Sequence, residues 1–114
     1  MTAMYPAPLE HQIQQLIINY LKYKGWYVLR LNSGKYSVGE GRSKRYIMGQ
    51  DAGTPDVMAF KEDRTLGKRI IFIEVKRPGK SPTALQEAKM EELIESGAEC
   101  FVATSLEDME TQGL

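Results

Sequence analysis

Two residues with complementary chemistry, Glu74 and Lys76, stand two positions apart in an apolar run. On a β-strand this spacing places both side chains on the same face of the sheet. Residues 69–76 predict a strand in the middle of a sheet, covered on both faces, and a carboxylate buried there needs a compensating cation. That cation is either a bound metal ion or the lysine itself, in an ion pair at the end of a core strand.

A second carboxylate, Asp56, follows Gly-Thr-Pro at positions 53–55 and opens another apolar segment. If the two strands are neighbours, Asp56 lies beside Glu74. Two carboxylates and a backbone carbonyl, for which Val75 is well placed, are the hard oxygen ligands that Mg²⁺ or Mn²⁺ prefers. Lys76 would then orient and help to deprotonate an attacking water, and would stabilise charge on a phosphate. The alternative for Asp56 is a turn-forming role after the proline.

Two further polar residues are predicted to point inward from helices. Glu10 projects between Ile17 and Leu21 on the apolar stripe of a predicted helix, where it would be a third acid near the metal, acting through a water. The alternative is a first-turn glutamate favoured by the helix dipole. Gln86 falls on the inner side of a later helix, where it would hold a phosphate or orient the lysine. The alternative there is a partly exposed glutamine near a helix terminus.

The elements that must position these residues follow from periodicity and turn signals. The prediction is a helix at 9–23, strands at 26–31, 55–60 and 69–76, a helix from Ser81-Pro82 to Ser96, a strand at 99–104 and a short last helix. Between the first two strands we expect a long loop with a short hairpin pairing residues near Tyr36 and Tyr46. A meander followed by a parallel strand–helix–strand crossover gives an α/β (mixed α+β) fold, with a mixed sheet flanked by helices.

The bulk composition fits one ordinary globular domain spanning 1–114, with 42% hydrophobic and 26% charged residues. The single cysteine excludes an internal disulfide, and no signal or membrane segment is evident, so we expect a cytoplasmic protein. Net charge is zero, yet seven basic residues and one acid lie in 22–50, against eight acids and one base in 87–110. The basic half is suited to an anion, or both halves are ordinary solvated faces.

The pattern of Asp56 followed by Glu74-Val75-Lys76 resembles the PD-(D/E)xK nuclease signature. With Glu10 in a first helix and Gln86 in a second, the whole set over residues 9–108 resembles the VRR-NUC family of virus-type replication–repair nucleases. The resemblance implies a restriction-endonuclease-like fold and Mg²⁺- or Mn²⁺-dependent DNA cleavage. It further implies Asp56 and Glu74 as metal ligands, Lys76 as the catalytic lysine, and Glu10 and Gln86 as supporting residues.

Stand-alone members of the family are similar to phage-type Holliday-junction resolvases, which implies a homodimer acting on branched or duplex DNA during replication, repair or recombination. It also implies no small-molecule cofactor. A basic loop would contact DNA phosphates through six residues: Lys35, Tyr36, Arg42, Lys44, Arg45 and Tyr46. Three alternatives stay open: a nuclease of this fold with a duplex or RNA substrate, a catalytically silent nucleic-acid-binding module, and a small interaction protein in which Glu74 and Lys76 form a salt bridge.

Overall fold

The protein is described by a computed structural model at residues 8–31, 35–38, 41–43, 45–48 and 52–114. Its helices are α1 (Glu10–Tyr23), α2 (Ala84–Glu95) and α3 (Glu107–Thr111), with a short 3-10 turn at Gly41–Ser43. Its strands are β1 (Tyr27–Arg30), β2 (Lys35–Val38), β3 (Arg45–Met48), β4 (Val57–Asp63), β5 (Gly67–Val75) and β6 (Glu99–Ala103).

The main sheet has the strand order β1-β4-β5-β6, so β5 is an interior strand, as predicted. Strands β1, β4 and β5 form an antiparallel meander, and β6 returns parallel to β5 after α2. The predicted mixed sheet is therefore confirmed. The predicted hairpin is also found, because β2 and β3 pair with Tyr36 opposite Ile47 and Ser37 opposite Tyr46.

One face of the sheet is packed by α1 and α3 and holds the hydrophobic core. Ile17 and Leu21 of α1 are fully buried there against Val57, Ile71 and Ile73 of the sheet. Alternation along each strand sends these side chains to the α1 side, which we call the core face. The apolar stripe of α1 thus decides which face of the sheet is closed to water.

The opposite face, which we call the site face, carries Asp56 and Glu74 by the same alternation. Here the prediction that β5 is covered on both faces is correct only for its second half. Glu74 and Val75 are buried, but Ile70 at the other end is 43% exposed. The reason is that α2 packs beside β6, with the Cys100 thiol donating to the Met90 carbonyl, so it leaves the β1–β4 side of this face open.

The second helix begins two residues later than predicted. Thr83, not Ser81, is the N-cap, and its hydroxyl accepts from the main-chain N–H of Gln86. Leu85 in the first turn of α2 is mostly exposed, and Met90 is the residue that α2 buries. Among the described residues no helix is long and apolar enough to cross a membrane.

Candidate active site

Asp56 lies immediately before β4 and is held between the ends of two other strands. Its carbonyl accepts from the N–H of Leu31, just past β1, at 2.8 Å. Its carboxylate accepts from the N–H of Val75, the last residue of β5, also at 2.8 Å. A prediction of neighbouring strands is thus confirmed, and the side chain is placed at the end of β5 rather than in a free turn.

Glu74 points into this place from β5 itself. Its side chain is buried, with the residue only 1% exposed. One carboxylate oxygen, Oε1, lies 3.5 Å from the ammonium nitrogen of Lys76. The other oxygen, Oε2, is buried and has no hydrogen-bond partner within the described part of the chain. Burial of a carboxylate oxygen without a partner is costly, so the ionised form of Glu74 is disfavoured unless a cation reaches this oxygen.

The pKa values of both acids are raised, and burial is the main cause for each. Burial, and then the charge of Asp56, raise the pKa of Glu74 to about 7, although Lys76 opposes the shift. Burial also raises the pKa of Asp56, and the hydrogen bond from Val75 and the charge of Lys76 only partly offset it. Two carboxyl groups that share one partly buried place resist simultaneous ionisation unless a cation joins them.

Glu10 stands at the first position of α1, half-buried, and its negative charge contributes to the raised pKa of Glu74. Its charge therefore acts on the site from the helix that packs the core face. No cluster of three or more Asp, Glu, His or Cys side chains with metal-binding spacing occurs among the described residues. The role of Glu10 as a ligand acting through a water stays a prediction.

Gln86 is engaged in the capping of α2. Its side-chain oxygen accepts from the N–H of Thr83 at 2.9 Å, completing the reciprocal pair in which Thr83 accepts from Gln86. This is the capping box that commonly starts a helix. The side-chain nitrogen has no hydrogen-bond partner within the described ranges, and a role in holding phosphate or orienting Lys76 stays a prediction.

Gly53 opens the Gly-Thr-Pro-Asp run, and the structure gives it a packing role that the sequence pattern alone does not show. Its φ of +86° is one that L-residues rarely adopt, and a Cβ at this position would lie 2.8 Å from the carbonyl oxygen of Leu85. The segment that leads to Asp56 is therefore packed directly against the first turn of α2. The only sequence signal was a glycine three residues before the acid, which by itself predicts no more than a turn.

The six predicted phosphate contacts lie in and around the β2–β3 hairpin. The backbones of Lys35 and Tyr36 belong to β2, and those of Arg45 and Tyr46 to β3. Arg42 is exposed in the 3-10 turn, and Lys44 lies outside the described residues. Contact of this hairpin with DNA stays a prediction.

Comparison with known protein families identifies the family to which these elements belong. The sequence profile described as the VRR-NUC domain matches residues 10–107. The chain belongs to the VRR-NUC domain family. The match runs from the first residue of α1 into α3, so it includes every element that positions Asp56, Glu74 and Lys76. A VRR-NUC domain has a nuclease-type fold, which implies DNA as the substrate class.

The fold comparison agrees with the sequence profile. A solved structure titled "VRR_NUC domain" superposes with a TM-score of 0.62 at 24% identity, covering 90% of each chain. At that identity the likeness establishes a shared VRR-NUC fold. No curated protein matches the sequence.

The residues present fit a divalent cation. The test is the buried, unpartnered Oε2 of Glu74, which lies in the same place as the carboxylate of Asp56. Both are hard oxygen donors, and a cation between them would offset the burial and the Asp56 charge that raise the pKa of Glu74. Lys76 already compensates the other oxygen, Oε1, so its charge does not replace the missing partner.

Proposed function

We propose that this VRR-NUC chain acts as a metal-dependent DNA endonuclease selective for branched DNA, such as Holliday-junction-like substrates. The observation that carries the proposal is the unpartnered carboxylate oxygen of Glu74, buried beside Asp56 and Lys76 in a nuclease-type fold. A salt bridge between Glu74 and Lys76 accounts for Oε1 alone and leaves Oε2 without a partner.

The roles of the residues follow from their positions. Asp56 and Glu74, with the carbonyl of Val75, would hold Mg²⁺ or Mn²⁺. When bound, such an ion lowers the pKa of a water and polarises a phosphoryl oxygen. Lys76 would orient the attacking water and stabilise negative charge that develops on the phosphate, because its ammonium group lies 3.5 Å from Glu74 at the end of β5.

Supporting residues surround this set. Glu10 would add a third negative charge from α1, and Gln86 would offer its free amide nitrogen to a phosphate from the first turn of α2. The basic hairpin would position the DNA backbone without reading sequence. A homodimer with a two-fold axis would present two such sites to the two strands of a junction or duplex.

The test is cleavage of a labelled four-way junction, a flap and a matched linear duplex, with Mn²⁺, Mg²⁺ or EDTA. We expect cutting with either metal, none in EDTA, and a loss in Lys76→Ala of about 100- to 1,000-fold in rate. Lys22→Ala is the matched control, because this lysine is exposed on α1, away from the acid pair.

Each other result has a distinct meaning. Equal cutting of all three substrates would remove the selectivity but keep the nuclease. Binding of DNA without cutting, and without any rise in melting temperature on adding metal, would favour the silent binding module. Analytical ultracentrifugation tests the dimer separately.

A further inference from the structure

The open half of the site face carries a row of exposed apolar side chains. Tyr27, Phe60 and Ile70 lie directly across from one another on β1, β4 and β5 in the observed register. They are 61%, 39% and 43% exposed, respectively. A row of this kind on a sheet face, with two aromatic rings, is unusual where nothing in the fold requires it.

The two rings form a pair that presents flat surface to solvent. The ring centroids of Tyr27 and Phe60 are 5.1 Å apart and the ring planes are tilted by 31°. Nucleic-acid bases stack on such exposed rings whatever their sequence, because every base has a π-face.

The same row lines a broad open groove of about 990 Å³ whose charged residues are mostly basic. They are Lys24, Lys61, Lys68 and Arg69, against the single acid Glu62. Lys61 and Arg69 alternate to the core face, where their cationic groups lie over the ring of Trp26, at 4.7 and 5.3 Å from its centroid, and Arg69 also pairs with Glu99. Lys24 and Lys68 are therefore the two bases that form the rim of the groove beside the row. Aromatic surface beside a basic rim is complementary to a polyanion with flat apolar groups.

The groove and the acid pair share the site face but stand at opposite ends of it. Asp56 and Phe60 are four residues apart along β4, which corresponds to roughly 13 Å of strand. Between them lie the half-buried Met58 and Phe72, so the face is continuous from one end to the other.

We propose that the Tyr27–Phe60 row is a second DNA-binding site that takes unpaired nucleotides of a single strand leaving the cleavage site. The inference deepens the proposed nuclease function and rests on it for the identity of the ligand as DNA. It predicts a preference for substrates in which a single strand adjoins the duplex over fully paired ones.

The experiment measures binding of a fluorescent oligo(dT) in EDTA, so that no cleavage occurs, by fluorescence anisotropy. Tyr27→Leu should weaken binding by about fivefold or more, whereas Tyr27→Phe, which keeps the ring, should bind like wild type. Phe60→Leu is the second, independent variant. Tyr23→Leu is the matched control, because Tyr23 is 87% exposed on α1 and outside the groove.

The charge of the rim is tested by a salt series. Lys68→Gln should reduce the slope of log Kd against log salt concentration by about 0.7, the value for one phosphate contact on a single strand. An unchanged slope would remove Lys68 from the site.

Three results would overturn the proposal. One is oligo(dT) binding by Tyr27→Leu and Phe60→Leu at wild-type affinity, and another is an equal loss in Tyr27→Leu and Tyr27→Phe. The third is a change from dimer to monomer in Tyr27→Leu at unchanged affinity per protomer, which would identify the face as a self-association surface.

The two proposals fail separately. Metal-dependent cleavage that is indifferent to the Tyr27 ring would keep the nuclease and reject the groove. Ring-dependent binding of oligo(dT) by a protein that cuts no substrate with either metal would keep the groove and reject the nuclease.

Discussion

The two ends of the site face invert the usual distribution of polar and apolar groups. At one end a carboxylate is buried with an unpartnered oxygen, and at the other two aromatic rings stand in water. On the core face of the same strands, Ile71 and Ile73 are buried. They belong to a core cluster whose members, among the described residues, are all hydrophobic. The contrast indicates that the apolar core is built on one face of the sheet, while the other face carries the groups to which both proposals assign ligands.

The largest expected effect separates activity from stability at the buried end. Glu74→Gln should lower metal-dependent cleavage by at least about 100-fold, because it removes a ligand charge from the site. The same change should raise the free energy of unfolding at pH 8, since it removes a buried ionised group. Single-turnover cleavage and urea denaturation would be measured on one preparation. A variant that loses both activity and stability would show Glu74 to be structural.

The next prediction compares the loss of stability when a side chain is shortened on each face of β5. Ile73→Ala on the core face should destabilise by about 2–5 kcal/mol, because it opens a cavity among fully buried side chains. Ile70→Ala on the open half of the site face should cost less than about 1 kcal/mol. Urea denaturation checks both. Equal costs would mean that Ile70 is covered in solution.

The pH dependence of stability sharpens the account of the buried end. Between the ordinary pKa of 4.5 and the folded pKa of about 7, folded Glu74 keeps a proton that the unfolded chain has lost. The free energy of unfolding should therefore fall as the pH rises through this window, by up to about 3 kcal/mol. Asp56, whose pKa is also raised, acts in the same direction.

Denaturation in EDTA at pH 5 and pH 8 measures this fall, and Glu74→Gln should reduce it. Added Mn²⁺ should restore more stability at pH 8 than at pH 5, because the ion binds ionised carboxylates. A wild-type stability that rises between pH 5 and pH 8 would contradict the assignment.

The last expected effect concerns the loop that places Asp56. Gly53→Ala should cost about 1–3 kcal/mol, because its backbone conformation is unfavourable for alanine and the new Cβ meets the Leu85 carbonyl. Gly67→Ala is the control, since its φ is also positive, at +78°, but a Cβ there meets nothing within 4 Å. Thermal denaturation compares the two. An equal loss would leave backbone strain as the only cost, without the contact to α2.

Much of the fold could be predicted because its signals are local. The stripe of α1, the apolar run of β5 and the Gly and Pro residues between elements each report on their own segment. The start of α2 was misplaced because Ser81-Pro82 and Thr83 are both good N-terminal signals. The capping hydrogen bonds between Thr83 and Gln86 decide between them.

The sequence by itself determined the residues that can do chemistry and the elements that carry them, since residue type and periodicity are properties of the chain. Only the tertiary structure decided that Asp56 meets the N–H of Val75, because that contact joins strands 19 residues apart through their register. The tertiary structure also decided which half of the site face is covered, because that depends on where α2 packs on the sheet. An apolar strand has the same sequence whether a helix lies over it or not.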